Sequence, residues 1–184
     1  MDKTLLETQQ LKTEELIVYA PDTLNYITKD MINSSLQKLP NIYNFFEIDS
    51  YRTFQVNIFD NLEKFRKFVL SMREDKNSLP EYARGTFDMG MINLFIENNI
   101  IKNSPLYKNK LYYISHEIFH ILYREIILKN NQNKRVVWLD EGLAQYFSGE
   151  KDHLNSENEF QEFFNKVINN TVNFQLYGIT IFQK

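Results

Sequence analysis

The stretch His116-Glu117-Ile118-Phe119-His120 contains two histidines four residues apart, with a glutamate directly after the first. Residues four apart on an α-helix lie on the same face, one turn from each other. Two imidazoles placed in this way can bind one metal ion, and a carboxylate beside them can accept a proton from a metal-bound water. The stretch therefore predicts a helix with a metal site on one face and a base at position 117.

A second stretch, Trp138-Leu139-Asp140-Glu141-Gly142-Leu143-Ala144, follows after a short connection and offers a third ligand. Zn²⁺ in catalytic sites usually has three protein ligands and keeps its fourth position for water. The chain has no cysteine and only one other histidine, so a carboxylate is the natural third ligand. Glu141 fits this role better than Glu117, which the motif reserves for proton transfer. We expect one Zn²⁺ per chain, bound by His116, His120 and Glu141.

The histidine pair lies within a segment from Tyr107 to Lys129 that is apolar on nearly all sides. Such a helix is buried in a core rather than lying on a surface. Buried imidazoles and a buried carboxylate are costly unless each has a partner, and a metal ion satisfies that need. The alternative is two core histidines that bond to backbone groups, but it does not explain why Glu117 shares their neighbourhood.

Length and composition indicate one domain without a membrane span. At 184 residues, with 43% hydrophobic and 15% aromatic content, the chain can form one well-buried core, so we expect a single domain over 1–184. The net charge of −3 and the scattered lysines and arginines argue against nucleic-acid binding. No apolar run is long enough to cross a membrane, and no signal peptide is visible. We expect a cytoplasmic protein, which the lack of cysteine fits, although it also fits an exported protein that avoids free thiols.

Hydrophobic periodicity and turn residues predict an α+β order of strand, helix, strand, helix, a hairpin and then helices. Pro40 is expected to end the first helix, and Asp60 or Asn61 to cap the second. Gly85 and Gly90 are expected at turns or bulges. The predicted strands are 15–20, 51–59, 83–85 and 89–96, with the even positions of 51–59 facing the core, and the predicted helices are 24–39, 60–72, 107–129 and 140–147.

The helix predicted from about position 140 carries Glu141 in its first turn and is expected to end at Gly149. Gln145 lies one turn later on the same face. Ligating histidines usually donate their second N–H to an outer acceptor, so Gln145 is a candidate to orient His116 or His120. The alternative for this side chain is an exposed position with no role at the metal.

The two motifs together resemble the gluzincin metallopeptidases, most closely the small single-domain bacterial members of the minigluzincin or peptidase-MA-like group. The resemblance is specific at the two helices, looser upstream, and covers about residues 14–150. It implies a zincin-like fold, in which a small mixed twisted sheet carries an active-site helix and a glutamate helix follows in a lower helical part. It also implies His116, His120 and Glu141 as zinc ligands, with Glu117 as the catalytic acid and base.

The same resemblance implies the hydrolysis of peptide bonds in a peptide or protein substrate by a zinc-activated water. It places the strand at 89–96 at the upper rim, where Met91 and Asn93 would contact an extended peptide. The oxyanion that forms in this reaction needs a hydrogen-bond donor, for which His153 and Tyr177 are candidates. Ordinary packing roles are the alternative for both of these side chains.

A helix at about 155–169 and an apolar, strand-prone tail at 171–182 follow the core of the resemblance. A cleft that binds extended peptides by edge pairing would also accept this tail, which would then inhibit the enzyme. An ordinary core strand is the alternative. Two other functions stay open: a catalytically silent zincin-fold protein that acts in binding or sensing, and a structural helical domain without a metal.

Overall fold

The computed structural model describes residues 9–73, 79–81, 83–129 and 135–150, which form a mixed α+β structure, as predicted. Its strands make one five-stranded sheet. The strands are β1 (Gln9–Lys12), β2 (Leu16–Ala20), β3 (Phe54–Phe59), β4 (Gly85–Asp88) and β5 (Met91–Phe95). The α-helices are α1 (Asn25–Phe45), α2 (Leu62–Met72), α3 (Pro105–Lys110), α4 (Tyr113–Leu122) and α5 (Val137–Ser148). A 3-10 turn at Asp22–Leu24 precedes α1, and a π-helical segment at Tyr123–Leu128 follows α4.

The chain divides into two compact units, Met1–Gly149 and Glu150–Lys184. The elements named above all belong to the first unit. The helix and the apolar tail predicted for the C-terminal part lie outside the described residues. Among the helices that the structure describes, none is both long and apolar enough to cross a bilayer.

The five strands follow the spatial order β1-β2-β3-β5-β4. The three inner strands are parallel, and both edge strands are antiparallel to their neighbours. A two-residue turn joins β4 to β5, and its residues Met89 and Gly90 have φ values of 51° and 79°. Two successive positive φ values are typical of a type I′ turn, whose twist matches that of a hairpin. The turn expected at Gly90 is confirmed, whereas Gly85 is the first residue of β4.

The main core lies between the sheet and the helices α1, α4 and α5. Successive side chains of a strand face opposite sides, and the even positions of β3 point into this core, as predicted. A smaller cluster, built largely from phenylalanines, packs between α2 and the other face of the sheet. The main core includes Leu16, Val18, Val56, Ile58, Ile92, Leu94, Ile118 and Phe119, and the smaller cluster includes Phe59, Phe65, Phe68 and Phe95.

The first predicted helix ends too early, and the helix predicted at 107–129 is not continuous. α1 continues through Pro40 to Phe45 instead of ending at the proline. A proline inside a helix costs about 3 kcal/mol, but Ile42 and Tyr43 beyond it are buried, and burying a large apolar side chain contributes roughly 1.5–3 kcal/mol. Burial of the last turn therefore outweighs the missing hydrogen bond. The helix predicted at 107–129 is divided into α3, α4 and the π-helical segment.

Capping residues set two helix ends as predicted. The Asn61 side chain accepts a hydrogen bond from the backbone N–H of Lys64 (2.9 Å) at the start of α2. Gly149 has a φ of 91° and ends α5 in the left-handed conformation that glycine adopts without strain. α5 begins at Val137, earlier than its predicted start. The sequence does not predict the edge strand β1, because its half-exposed residues show no clear apolar alternation.

Gly142 lies inside α5, at a point where the helix surface has room for a larger side chain. No described atom lies within 4 Å of a Cβ added at this position. We expect Gly142→Ala to stabilise the protein by roughly 0.5–1 kcal/mol, because glycine weakens a helix interior by about that amount relative to alanine. Thermal unfolding should show a Tm higher by about 1–4 °C for a chain of this size.

The matched control is Gly90→Ala. This position is equally open, but its φ of 79° strains any residue with a Cβ, so the same substitution should lower Tm. A lower Tm for Gly142→Ala would contradict the open helix surface described above.

Candidate metal centre

One face of α4, continued into the π-helical segment, lines a cavity of about 600 Å³. The lining positions follow the spacing i, i+1, i+4, i+5 and i+8, which corresponds to one stripe along a helix. β4 forms a second wall, and the start of α5 contributes a third. The stripe consists of His116, Glu117, His120, Ile121 and Arg124. Both histidines and the glutamate of the motif therefore reach one shared space.

The three predicted metal ligands meet within this cavity. His116 Nε2 lies 2.9 Å from His120 Nε2, and Glu141 Oε2 lies 3.6 Å and 3.4 Å from these two nitrogens. Zinc bonds of about 2.0–2.2 Å in tetrahedral geometry place ligand atoms about 3.4 Å from one another. The observed separations bracket that value. The three atoms thus fit a single Zn²⁺ with small adjustments.

The arrangement of the three atoms favours a cation between them, because two neutral imidazoles whose Nε2 lone pairs face a carboxylate repel at these distances. Burial lowers the pKa of His120, but hydrogen bonds with Asp140 and Glu141 outweigh burial and raise it. Hydrogen bonds with His116 and His120 hold the pKa of Glu141 far below its usual value. A proton can supply positive charge in acid, and a metal ion could take its place when the histidines lose their protons.

Asp140 orients His120. Its Oδ1 accepts a hydrogen bond from His120 Nδ1 at 2.7 Å, and its side chain is only 4% exposed. An ionised carboxylate can only accept, so this bond places the ring proton on Nδ1 and directs the Nε2 lone pair to the metal position. Burial raises the pKa of Asp140, but hydrogen bonds with His120 and Arg135 outweigh burial and lower it. Asp140 therefore stays ionised, as this role requires.

The role that the sequence predicts for Gln145 belongs to Asp140 in the structure. α5 begins three residues earlier than predicted, so Asp140 lies in its first turn and Glu141 directly follows that turn. Gln145 lies one turn farther along, and within the described residues its side chain has no hydrogen bond to His120. The acceptor beside His120 is therefore Asp140 rather than Gln145.

Arg135 binds the outer oxygens of both carboxylates. Its Nε donates to Asp140 Oδ2 at 2.5 Å, and its Nη2 donates to Glu141 Oε1 at 2.9 Å. Each carboxylate therefore has one oxygen toward the histidines and the other toward the guanidinium. This division leaves Glu141 with one ligand atom, Oε2, at the metal position.

Glu117 lies beside the three ligands and under β4. A Cβ added at Gly85 would come within 2.6 Å of Glu117 Oε1, so the carboxylate would have to shift; Gly85 leaves room for Glu117 and does not form a turn. Burial raises the pKa of Glu117, and the charges of the two histidines only partly oppose this effect. A carboxyl group with a raised pKa is suited to accept a proton and to release it again near neutral pH.

The strand predicted to contact a peptide has no free edge. Its central part, β5, pairs with β3 on one side and with β4 on the other. Met91 and Asn93 point to the face of the sheet away from α4. There Asn93 is fully buried and accepts a hydrogen bond from Asn57 Nδ2 at 2.9 Å. The prediction for Met91 and Asn93 is therefore wrong, because the chain places β4 outside β5.

The predicted oxyanion donors His153 and Tyr177 lie outside the described residues. Three residues that matter at the site are not among the sequence-based candidates. The sequence does offer a signal for Asp140, because it stands directly before the predicted ligand Glu141 and the outer acceptors of ligating histidines are often carboxylates. Arg135 lies in a polar segment without periodicity, and the role of Gly85 depends on an approach between β4 and α4 that only the tertiary structure shows.

Comparison with models of known protein families finds none that matches this chain. Comparison with curated proteins also finds no match. The function proposed below therefore rests on the geometry of the site and on the resemblance of its two motifs.

Asp140→Asn should weaken zinc binding about 10- to 100-fold, because the acceptor that orients a ligating histidine typically contributes that much. The asparagine keeps the size of the side chain but loses its charge. Competition with a chromophoric chelator measures the zinc affinity, and circular dichroism confirms that the variant is folded.

Gln145→Ala is the control for this experiment, and its zinc affinity should equal that of the wild type. If Gln145→Ala lost affinity while Asp140→Asn kept it, the assignment of the outer acceptor would be reversed.

Proposed function

We propose that this protein is a zinc-dependent peptidase of the gluzincin type. The observation that carries the proposal is the convergence of His116, His120 and Glu141 on one point, with Glu117 beside it. Structural zinc sites are closed by four protein ligands, whereas catalytic sites keep one position open. In the described part of the chain three residues supply ligand atoms, and the cavity adjoins them. Such a site is suited to catalysis.

The order of the elements supports a zincin-like architecture. A mixed sheet with an antiparallel edge strand lies against the helix that carries both histidines. The third ligand comes from the next α-helix, α5, which packs against α4 in the main core. This is the layout that the resemblance implies, with a sheet and active-site helix followed by a glutamate helix.

The chemistry divides between the metal and the side chains around it. When bound, zinc would polarise a carbonyl group and make a water molecule more acidic. Glu117 would accept a proton from the attacking water and deliver it to the leaving amine. Asp140 would keep His120 in one tautomer, and Arg135 would hold Asp140 and Glu141 in place.

The outer edge of β4 is suited to hold the substrate. Phe95 N–H donates to Arg84 C=O at 2.8 Å, and hydrogen-bonded pairs alternate with non-bonded pairs along an antiparallel ladder. The backbone groups of Gly85 and Phe87 therefore point to the open edge. Among the described strands, β4 pairs only with β5. An extended peptide could add to this edge above Glu117.

Zinc content and peptide cleavage test the proposal directly. The wild-type protein should contain one zinc per chain and cleave an unstructured protein such as casein. Glu117→Gln should keep its zinc but lose about 10²–10⁴-fold in rate, since a general base contributes that much. His120→Ala should lose both. Metal analysis and the release of peptide fragments measure the two properties.

The outcomes separate the classes of function. A protein without zinc would reject the peptidase and any metal-dependent sensor alike. Zinc without cleavage would favour the binding or sensor protein, provided that removal of residues 171–184 does not release activity.

Gly85→Ala tests the position of Glu117. The added methyl group requires the carboxylate to shift, and a displacement of about 1 Å at a catalytic group can cost about 10²-fold in rate. We expect kcat to fall on that order while zinc content stays at one per chain. Gly142→Ala, which adds the same methyl group in open space, should leave kcat unchanged. A Gly85→Ala enzyme with full kcat would contradict the proposed role of Glu117.

A further inference from the structure

Four arginines line the cavity among the residues that the structure describes, and three of them have partners. Arg73 pairs with Asp88 at 2.9 Å. Arg84 donates to backbone carbonyl oxygens, and Arg135 binds the two carboxylates of α5. Within the same part of the chain, Arg124 has neither a hydrogen bond nor an ion pair. Its charge acts on the buried carboxyl group of Glu117 and partly opposes the rise in the pKa of that group. A guanidinium in a proposed substrate cleft that has no hydrogen-bond or ion-pair partner among the described residues is available to a ligand.

The position of Arg124 is set by the helix that holds the metal ligands. It lies one turn beyond His120, on the stripe that lines the cavity. The adjacent residue Glu125 does not neutralise it, because Glu125 pairs with Arg52 at 2.7 Å. Arg124 therefore presents an exposed guanidinium within one helical turn of a proposed zinc ligand.

We propose that Arg124 binds a carboxylate of the substrate close to the bond that is cleaved. This inference rests on the proposed peptidase function and adds a substrate class to it. The carboxylate can be the free C-terminus of a peptide or the side chain of an aspartate or glutamate. A guanidinium presents two parallel N–H donors that match the two oxygens of a carboxylate, which makes arginine well suited to this contact.

The charge of the cavity agrees with an anionic substrate. Its described lining contains four arginines and three carboxylates, which are Asp88, Glu117 and Glu141. A bound Zn²⁺ would add two further positive charges. Clefts with one excess sign concentrate ligands of the opposite sign and raise their association rates.

Peptide binding to zinc-loaded Glu117→Gln protein tests the inference without turnover. The probes are four alanine-based hexapeptides: a free acid, its C-terminal amide, and two amides that carry either a central glutamate or a central glutamine. Isothermal titration calorimetry gives the affinities. We expect one carboxylate-bearing peptide, the free acid or the glutamate amide, to bind about 10- to 100-fold more tightly than its neutral counterpart, as a charged hydrogen-bonded pair would produce.

The same titrations are repeated after adding Arg124→Gln, which should abolish the preference for the carboxylate. Arg124→Lys should restore part of it, because lysine keeps the charge but not the paired donors. Lys64→Gln removes an equal charge at an exposed position outside the cavity lining and should keep the full preference. Which pair of probes responds identifies the C-terminus or the acidic side chain as the source of the carboxylate.

Two results would overturn the inference. One is equal affinity for charged and neutral probes in the Glu117→Gln protein. The other is an equal loss for all four probes in the Arg124→Gln variant, which would indicate a role in shaping the cleft rather than in binding a carboxylate. Neither result would touch the peptidase proposal, which zinc content and wild-type cleavage decide separately.

Discussion

The contact between α4 and α5 is the constraint on which the candidate metal centre depends, because it fixes how far Glu141 lies from the two histidines. Phe119 of α4 stacks on Phe147 of α5 with 5.5 Å between ring centroids. Phe45, from the last turn of α1, packs against both rings. Ala144 is fully buried in the same region, and its small side chain lets the two helices approach closely. The extension of α1 beyond its proline thus helps to position α5 and the glutamate that it carries.

The free energy gained by burying the apolar side of α4 also offsets the cost of the polar side chains on its other face. Bringing two imidazoles and a carboxylate together costs free energy, since each loses water. The aromatic cluster behind α4 and the hydrogen bonds of Asp140 and Arg135 oppose that cost. The result is a helix that is stable on one face and reactive on the other. Asp140 and Glu141 each have one oxygen near a histidine and the other bonded to Arg135. These paired contacts further limit the ways in which the site can rearrange.

The parts of the fold that the sequence predicts are those governed by local physics. The caps at Asn61 and Gly149, the turn at Gly90 and the alternation in β3 each depend on a few adjacent residues. The histidine spacing belongs to the same class, because helix geometry alone brings His116 and His120 together. The role of Asp140 is also predictable in principle, because it directly precedes the predicted ligand Glu141 and carries a carboxylate that can accept a hydrogen bond from a histidine.

The features that the sequence does not predict depend on contacts between elements that are far apart in the chain. Strand order decides that β4 rather than β5 has the open edge, and no local pattern distinguishes the two arms of a hairpin. The end of α1 depends on what its last turn packs against, which outweighs the local effect of Pro40. Arg135 and Gly85 matter only because distant elements approach them. The three side chains that converge as candidate metal ligands are therefore predictable from the sequence, whereas most of the residues around them are not.

The shortness of β4 limits how firmly any peptide could be held. Four extended residues span about 14 Å, and only Gly85 and Phe87 direct backbone groups outward. At about 0.5–1.5 kcal/mol for each hydrogen bond, pairing at this edge alone gives an affinity of only about millimolar. A peptide on such an edge would dissociate quickly, and both fragments of a cleaved chain would leave more readily still. A brief residence time of this kind favours repeated turnover on flexible chain segments over stable capture of a folded partner.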